Sequence, residues 1–300
     1  MKKIKIKTVG IVLKPTATKD VNRFSANLIQ WLIKYGVNVA IPEIDRNNLA
    51  KLISNIDNKV SITNMNDIHV DTDLIISVGG DGTIIGVARK ARKDGPAILG
   101  VKMGGLGFIT EFTKVNIYEH LTKILKGNFD CHKLNLYRAK VLKRDKVIHE
   151  VRFVNDAVVN RAEISRLLKL KLSLDNNHIY DMSGDGLIVS SPIGSTAYSL
   201  AAGGPIIHPT VNSMALTPIC PHSLTKRPLV IPDNRVVKIE CKRSEKQPIH
   251  LTMDGQEEFI VQPNEIILIE KVKNIHAKIV SNKNREYFST LKDKFTYGKR

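Results

Sequence analysis

Residues 74–88 read Leu74-Ile-Ile-Ser-Val-Gly79-Gly-Asp81-Gly-Thr83-Ile-Ile-Gly-Val-Ala88. Five residues typical of a buried strand run into a glycine-rich turn, and an amphipathic helix pattern follows as far as Lys93. Three glycines in four positions let the backbone come close to a ligand. Backbone N–H groups beside the positive end of a new helix suit a phosphate. The stretch therefore predicts a strand, a phosphate-binding loop and a helix of an α/β protein.

The acidic residue inside this turn, Asp81, points to a particular chemistry. A site that only binds phosphate gains nothing from a carboxylate among its amides. Such a carboxylate must hold either a metal ion or a substrate hydroxyl, and both belong to phosphoryl transfer. The alternative is a plain Gly-Asp-Gly turn that joins two elements. The five residues of the turn alone do not decide between these interpretations.

The first half of the chain alternates between strand and helix patterns. Strands are predicted at 8–13, 37–41, 74–78 and 97–101, and helices at 19–35, 47–56, 84–93 and 117–126. This alternation is typical of a mainly parallel sheet, so residues 1–128 are predicted to form an α/β domain. Its two glycine loops, 79–83 and 104–108, follow strands, and the carboxyl ends of strands are where such sheets bind ligands.

From about residue 129 the pattern changes to short strands with frequent turn signals. Strands are predicted at 136–142, 147–155, 156–161, 168–174, 186–190, 229–231, 236–241, 249–253, 259–261 and 266–270, with a hairpin turn at 175–178. Residues 129–272 are therefore predicted to form an all-β domain. Residues 273–300 are predicted to include a helix at 286–295 that packs back on the first domain.

The composition is that of a globular protein, except for its charge. Hydrophobic residues make up 42% and charged residues 25% of the 300 residues, and no apolar run approaches the length of a membrane span. The net charge of +17 suits nucleic-acid binding, but the lysines are spread along the chain without a dense basic tract. Attraction of small polyanions such as nucleotides is the interpretation we favour. The sequence thus predicts a cytoplasmic protein with no membrane or nucleic-acid partner.

The three cysteines, Cys131, Cys220 and Cys241, are odd in number and far apart. They have neither the pairing of a disulfide framework nor the spacing of a zinc site. No metal-ligand cluster in the protein is predicted.

A second glycine-rich block occupies residues 181–205. A predicted strand at 187–189 lies between Asp185 on one side and Thr196 and Tyr198 on the other, with many small and hydroxyl-bearing residues around it. Small residues let a flat ring approach, while hydroxyls and backbone amides give it specific hydrogen bonds. The block therefore predicts a ligand-binding loop, with a purely structural loop as the alternative.

Six motifs of the chain resemble, in the same order, those of the NAD kinase family. They are Gly79-Gly-Asp-Gly-Thr83, Asn155-Asp156, Asp185-Gly-Leu187, Gly194-Ser-Thr-Ala-Tyr198, Gly203-Gly-Pro205 and Asp254-Gly-Gln256. The first motif is shared with diacylglycerol-type lipid kinases and resembles a phosphofructokinase loop, whereas the fourth and sixth are far more specific. The resemblance implies a Rossmann-like, phosphofructokinase-like α/β domain, a C-terminal β-sandwich, and assembly into homodimers or homotetramers.

The resemblance also implies roles for individual residues. Asp81, with Gly82, is expected to face the NAD ribose and to act as the catalytic carboxylate. The loop around it is expected to receive the phosphates of ATP, through Gly79, Gly80, Gly82 and Thr83. Further NAD contacts are expected from Phe108, Asn155, Asp156, Arg166, Asp185, Thr196, Ala197, Tyr198, Ser199, Ala201 and Gln256.

Three residues depart from the usual family pattern. Asp156 stands where relatives usually have Glu, so its carboxylate is set back by one methylene. Ala201 stands where Ser is common, which removes one hydrogen bond. Lys102 replaces a usual Asn before the second glycine loop, where its charge could meet a phosphate.

The implied reaction moves the γ-phosphoryl group of ATP, or of another donor such as polyphosphate, to the adenosine 2′-hydroxyl of NAD. NADP is the product, and Mg²⁺ or Mn²⁺ accompanies ATP. One alternative is a lipid or sugar kinase that shares the first loop but has no use for residues 194–198. An NAD(P) dehydrogenase is disfavoured because Ile85 fills the third glycine position of G-x-G-x-x-G. A non-catalytic, basic nucleotide-binding or nucleic-acid-binding protein is the third alternative.

Overall fold

The fold was analysed in a computed structural model of the chain. The structure describes residues 5–50, 59–105, 107–161, 168–175, 177–223, 225–241, 248–283 and 286–295. The chain divides into two compact units. One contains Met1–Leu134 and Ile275–Arg300, and the other contains Asn135–Asn274.

The first unit is built on a parallel sheet. Its strands are Thr8–Leu13 (β1), Asn38–Pro42 (β2), Val60–Thr63 (β3), Leu74–Gly79 (β4), Ala97–Lys102 (β5) and Phe112–Thr113 (β6). They lie in the order β3-β2-β1-β4-β5, and β6 and the segment around Lys278 also pair with β5 in parallel. This order places the carboxyl ends of β1, β4 and β5 side by side at one edge of the sheet.

Six helices accompany this sheet in the described part of the unit. They are Lys19–Lys34 (α1), Glu43–Ala50 (α2), Ile68–Asp71 (α3), Asp81–Ala88 (α4), Ile117–Leu125 (α5) and Tyr287–Lys294, which is α7 in chain order. The longest, α1, is N-capped by Thr18 and buries Val21, Phe24, Leu28 and Leu32 in the core of the unit. Gly36 follows its end with φ +80°, the left-handed conformation that a glycine stop supplies.

The second unit consists of two packed antiparallel sheets. One has the order β14-β13-β12-β9-β16-β17, and the other contains β11, β10, β15, β18, β7 and β8. The strands are Cys131–Lys143 (β7), Lys146–Phe153 (β8), Asp156–Arg161 (β9), Leu168–Leu174 (β10), Asn177–Gly184 (β11), Gly186–Ser190 (β12), Ser213–Ile219 (β13), Leu229–Pro232 (β14), Val237–Cys241 (β15), Ile249–Met253 (β16), Glu257–Val261 (β17) and Ile266–Val280 (β18). A short 3₁₀ turn, Gly194–Thr196, and the helix Tyr198–Ala201 (α6) lie between β12 and β13.

The core of the second unit contains side chains from both of its sheets. Ala157, Val159 and Leu251 of one sheet and Leu170 and Ile239 of the other belong to the same buried cluster. Alternate residues of β9, including Asp156 and Val158, therefore belong to the opposite face of its strand. This outward face carries the candidate site described below.

Most predicted elements are present, with a few corrections. The helix predicted at 84–93 begins earlier, at Asp81, and ends at Ala88, and it is buried on most sides instead of amphipathic. The helix predicted at 47–56 begins at Glu43, and residues 51–56 lie outside the described part of the chain. The strands β3, β6, β11 and β13 and the short helices α3 and α6 were not predicted, and β11 begins inside the hairpin turn predicted at 175–178.

The described residues contain no helix that is long and apolar enough to cross a membrane.

Candidate active site

The first glycine loop joins β4 directly to α4. Strand β4 ends at Gly79, Gly80 is extended (φ −160°, ψ −167°), and α4 starts at Asp81. The turn is therefore a single residue long, and Asp81 lies in the first turn of the helix. The positive end of the helix dipole favours a negative group at this position.

The carboxylate of Asp81 is held by the last residue of the second glycine loop and the two residues after it. Its Oδ2 accepts a hydrogen bond from the Phe108 amide at 2.7 Å. Its Oδ1 accepts from the amides of Ile109 at 3.3 Å and Thr110 at 2.9 Å, and from the Thr110 hydroxyl at 2.7 Å. Four donors thus fix the half-buried carboxylate, three of them on one oxygen.

Gly107 makes this close approach possible. A Cβ atom on Gly107 would overlap both carboxylate oxygens of Asp81. By contrast, a Cβ on Gly104, in the same loop, would meet no atom within 4 Å. The two glycine loops are therefore joined through the carboxylate, and only Gly107 has to be a glycine for that reason.

The predicted phosphate-loop residues lie together around the start of α4. A Cβ on Gly79 would overlap the Thr83 hydroxyl and would come within 2.9 Å of the Lys14 Cβ. Thr83 is buried, whereas Gly82 is exposed. The loop is thus compact on the sheet side and open at Gly82, which is an arrangement able to receive an anion.

A cavity of about 370 Å³ lies on the outward face of β9 and β16 in the second unit. Its walls include four predicted site residues: Asn155, Asp156, Ala197 and Tyr198. The remaining lining residues are Val158, Asn160, Thr252, Asp254 and Gly255. Tyr198 is 49% exposed, so one aromatic face is available to a ligand.

Asp254 fixes the rim of this cavity. Its carboxylate accepts hydrogen bonds from the amides of Val154 at 3.0 Å, Asn155 at 2.7 Å and Asp156 at 3.3 Å. Asp254 and Gly255 both have positive φ, at 53° and 62°, in the turn between β16 and β17. The turn thereby places the carboxylate where the start of β9 needs an acceptor.

The second carboxyl group of the cavity, that of Asp156, has a raised pKa. Burial, and then the negative charge of Asp254, raises the pKa of Asp156 to about 7. The side chain is only 4% exposed. Near neutral pH this group is therefore present in both its neutral and its charged form.

Two amide oxygens complete the polar character of the cavity. The side-chain oxygens of Asn155 and Asn160 are buried and have no hydrogen-bond partner among the described residues. Buried polar groups are normally paired, so a ligand with N–H or O–H groups is expected to satisfy them. The cavity therefore presents hydrogen-bond acceptors and selects for donors.

The other predicted residues of the block 194–201 do not line this cavity. Thr196 donates to the Ile193 carbonyl at 3.1 Å, and the buried Ser199 hydroxyl pairs with that of Thr217 at 2.9 Å. Ala201 is exposed in α6 and does not line the cavity. Gly194 has to be a glycine because a Cβ there would overlap the Asn155 carbonyl.

Three further predicted residues lie elsewhere. Asp185, at the opposite end of β12, forms an ion pair with Arg161 at 3.2 Å. Gln256 is exposed, just beyond the turn at Gly255. The ring of Phe108 contacts that of Phe295, with 6.2 Å between centroids, within the first unit. Arg166 lies outside the described residues.

Sequence reasoning missed several residues of both sites. Thr110 and Gly107 were not singled out, because their contact with Asp81 spans more than 25 residues, 29 in the case of Thr110. Asn160 and Val158 were also missed, although they follow Asp156 at intervals of two and so share its strand face. Thr252 is opposite Val158 in the β9–β16 register, a pairing that only the fold reveals.

Comparison with known proteins identifies the family to which the chain belongs. The model of the ATP-NAD kinase N-terminal domain matches residues 9–129, and that of the C-terminal domain matches residues 154–281. The chain belongs to the NAD kinase family. The prediction of a kinase that phosphorylates NAD with ATP is thereby confirmed, and the lipid-kinase and nucleic-acid alternatives are not favoured.

Similar proteins match nearly the whole chain. The NAD kinase of Caldanaerobacter subterraneus subsp. tengcongensis is 35% identical over 97% of this chain and 99% of its own length. That of Geotalea daltonii is 35% identical over 91% of this chain and 93% of its own length. This family membership extends over both units of the fold.

Two solved structures of NAD kinases share the fold. The yeast NADH kinase complexed with NADH has a TM-score of 0.87 and 24% identity, and covers 98% of this chain and 89% of its own. The Archaeoglobus fulgidus NAD kinase in complex with ATP has a TM-score of 0.72 and 23% identity, and the match covers 97% of this chain and 100% of its own. The predicted α/β and β-sandwich architecture of an NAD kinase is confirmed.

Proposed function

We propose that Asp81 aligns the adenosine 2′-hydroxyl of NAD for attack on the γ-phosphorus of ATP. The observation that carries this proposal is the set of four hydrogen bonds that fixes the Asp81 carboxylate beside the glycine loop. Because Oδ1 accepts three of them and Oδ2 one, Oδ2 keeps acceptor capacity for a substrate hydroxyl. A carboxylate that is already fixed loses little freedom when it orients a nucleophile.

The proposed step is a direct phosphoryl transfer. The 2′-oxygen forms a bond to the γ-phosphorus while the bond from that phosphorus to the β-bridging oxygen breaks, and ADP leaves with the bonding electron pair. The hydroxyl proton passes to Asp81. In a loose transition state this proton leaves late, so orientation of the hydroxyl matters more than the basicity of the carboxylate.

The donor site in this proposal is the glycine loop. Gly79, Gly80, Gly82 and Thr83 surround the first turn of α4, where backbone N–H groups and the helix dipole favour phosphate. The loop offers a cation a single carboxylate, and the described residues contain no cluster of three or more metal-ligating side chains. We therefore treat Mg²⁺ or Mn²⁺ as part of the ATP substrate, where it offsets charge on the phosphate oxygens. Polyphosphate remains an alternative donor.

The acceptor site in this proposal is the cavity of the second unit. Asn155, Asn160 and Asp156 present acceptor oxygens, and NAD supplies matching donors in its ribose hydroxyls, its adenine amine and its carboxamide. Tyr198 and Ala197 provide the face on which a flat ring can lie. Thr196, Ser199, Asp185, Ala201, Phe108, Arg166 and Gln256 stay predicted contacts.

The direct test is NADP formation by purified protein with ATP, Mg²⁺ and either NAD or NADH. We expect NADP from NAD, with phosphate on the adenosine 2′-oxygen by ³¹P NMR. Phosphate on another hydroxyl, or no product under these conditions, would contradict the proposal. Replacing ATP by polyphosphate in the same assay identifies the donor.

Two further expectations concern the state of the protein in the cell. We propose a homodimer or homotetramer, to be measured by light scattering, and a cytoplasmic location, to be measured by cell fractionation. Neither changes the chemistry assigned to Asp81.

A further inference from the structure

We propose that Lys102 binds the phosphate chain of the phosphoryl donor and helps to set the affinity for that donor. The inference rests on the proposed function, because it takes the glycine loop as the donor site. It adds a side chain of the first unit to which the proposed function gives no role.

Strand register brings Lys102 to the glycine loop. In the β4–β5 pairing Lys102 is opposite Gly79, the last residue before the turn. On the other side of β4, the Lys14 amide donates to the Val78 carbonyl at 3.1 Å. Lys102 ends β5 and Lys14 directly follows β1, so each of the two strands that flank β4 brings a lysine to the level of the loop, on the edge where α/β sheets bind ligands.

The side chain of Lys102 extends along the loop. Its Cε lies 3.9 Å from the point that a Cβ on Gly80 would occupy. The ammonium is one bond beyond Cε, so it lies close to the residue that immediately precedes α4. A phosphate held at the start of α4 would be within reach of this charge.

The charge of Lys102 has no neutralising carboxylate among the described residues. The part of the chain that the structure describes shows no carboxylate in an ion pair with Lys102, although the side chain is half-buried. Asp81, the acid within this loop, accepts hydrogen bonds from residues 108–110 and makes no ion pair with Lys102. A partly desolvated ammonium without a partner favours binding of an anion, and lysine acts as a point charge toward phosphate.

The competing interpretation is a lysine that only extends into solvent at the edge of the sheet. That lysine would leave donor affinity unchanged when replaced, because its charge would already be hydrated. Replacing Lys123 on α5 is also expected to leave donor affinity unchanged, because Lys123 is exposed, belongs to the same unit and is not part of either candidate site. Lys123→Met is therefore the matched control.

Steady-state kinetics test the proposal. Lys102→Met, which keeps most of the stem and removes the charge, is expected to raise the KM for ATP about 10-fold, the effect of one charge-assisted hydrogen bond. The KM for NAD and the melting temperature are expected to stay unchanged, and Lys102→Arg is expected to restore most of the ATP affinity. An unchanged KM for ATP, or the same rise in Lys123→Met, would overturn the proposal.

Direct binding separates this proposal from the proposed function. Inorganic tripolyphosphate carries the phosphate chain without the nucleoside, and its binding can be measured by calorimetry without any turnover. We expect Lys102→Met to bind tripolyphosphate about 10-fold more weakly than the unmodified protein, with adenosine binding unchanged. Equal tripolyphosphate binding by the two proteins would refute the role of Lys102 even if NADP is formed normally. A protein that forms no NADP but shows the difference would refute only the function.

Discussion

Two aspartates, Asp81 in the first unit and Asp254 in the second, each hold a distant backbone segment by hydrogen bonds, but their surroundings differ. Each accepts hydrogen bonds from three consecutive backbone amides of a segment distant in sequence. Asp81 fixes the last residue of the second glycine loop and the two residues after it, and Asp254 fixes the start of β9. In both units a carboxylate joins two loops that are far apart in sequence.

The difference lies in the neighbour of each aspartate. Asp81 stands at the start of a helix and remains half-buried beside an open loop. Asp254 stands next to a second carboxyl group, and together with burial its charge raises the pKa of Asp156 to about 7. The same hydrogen-bonded arrangement therefore fixes the carboxylate that is proposed to orient the substrate in one unit, and in the other unit its charge adds to the effect of burial on the pKa of a neighbouring acid.

The largest effect is expected from Asp81→Asn. The substitution puts an amide where the nucleophile needs a carboxylate, so turnover should fall about 10²-fold or more, as for a positioned acid–base residue. Steady-state NADP formation measures it. The control is Asp73→Asn, because Asp73 also accepts two backbone amides of the first unit but precedes β4 instead of following it. Near-normal turnover of Asp81→Asn would remove this residue from the chemistry.

The next largest effect is expected from Gly107→Ala. The added methyl group overlaps the Asp81 carboxylate, so either the carboxylate or the loop must move. A displaced catalytic group costs rate steeply, and we expect turnover to fall by about 10-fold to 100-fold. Gly104→Ala, in the same loop but with open space around its Cβ, should retain nearly full turnover. Equal effects of the two substitutions would show that loop flexibility, and not the position of Asp81, limits the rate.

A smaller effect is expected from Thr110→Val. This nearly isosteric change removes the hydroxyl donor at 2.7 Å and leaves the three amide donors to Asp81 in place. We expect a loss of turnover of less than about 10-fold, consistent with one hydrogen bond to a charged group. Thr110→Ser, which keeps the hydroxyl, should be close to the unmodified protein. A loss as large as that of Asp81→Asn would mean that the hydroxyl takes part directly.

The smallest effect on turnover, but a distinctive pH dependence of stability, is expected from Asp156→Asn. Because the pKa of Asp156 is about 7 in the folded protein and near 4 when unfolded, its contribution to stability is present below pH 4 and is lost as the pH rises to about 7. Asp156→Asn should therefore gain unfolding free energy relative to the unmodified protein between pH 5 and pH 8, as measured by urea unfolding. Asp185→Asn, at an ion-paired site, should show no such gain. A parallel pH profile for Asp156→Asn and the unmodified protein would disprove the raised pKa.

Local patterns predicted most strands and helices because each depends on burial of its own apolar face. Strand β1 was predicted over the residues that form it, and α1 within one residue. Strand β13 was missed because Pro218 argues against a central strand. In the fold, pairing with β14 ends at Leu216, so the proline occupies a part of β13 where that neighbour is no longer paired.

The candidate site could be predicted only in part, for a similar reason. The glycine loop and Asp81 form one continuous motif, so residue types alone suggested phosphoryl transfer, and the resemblance to the NAD kinase family was needed to choose it over a plain turn. The donors that fix Asp81, and the face of β9 and β16 that forms the cavity, come together through long-range pairing. Ser199 is a residue for which residue type was misleading. Its hydroxyl could bind a ligand, but it is buried and hydrogen-bonded to the Thr217 hydroxyl.

The central claim is that Asp81 contacts the hydroxyl that receives the phosphate, and a crystal structure with bound NAD tests it most directly. The account predicts that the adenosine 2′-oxygen lies about 2.6–3.2 Å from the Asp81 carboxylate, with the bonds from residues 108–110 intact. A 2′-oxygen well beyond hydrogen-bonding distance, with another side chain in its place, would contradict it.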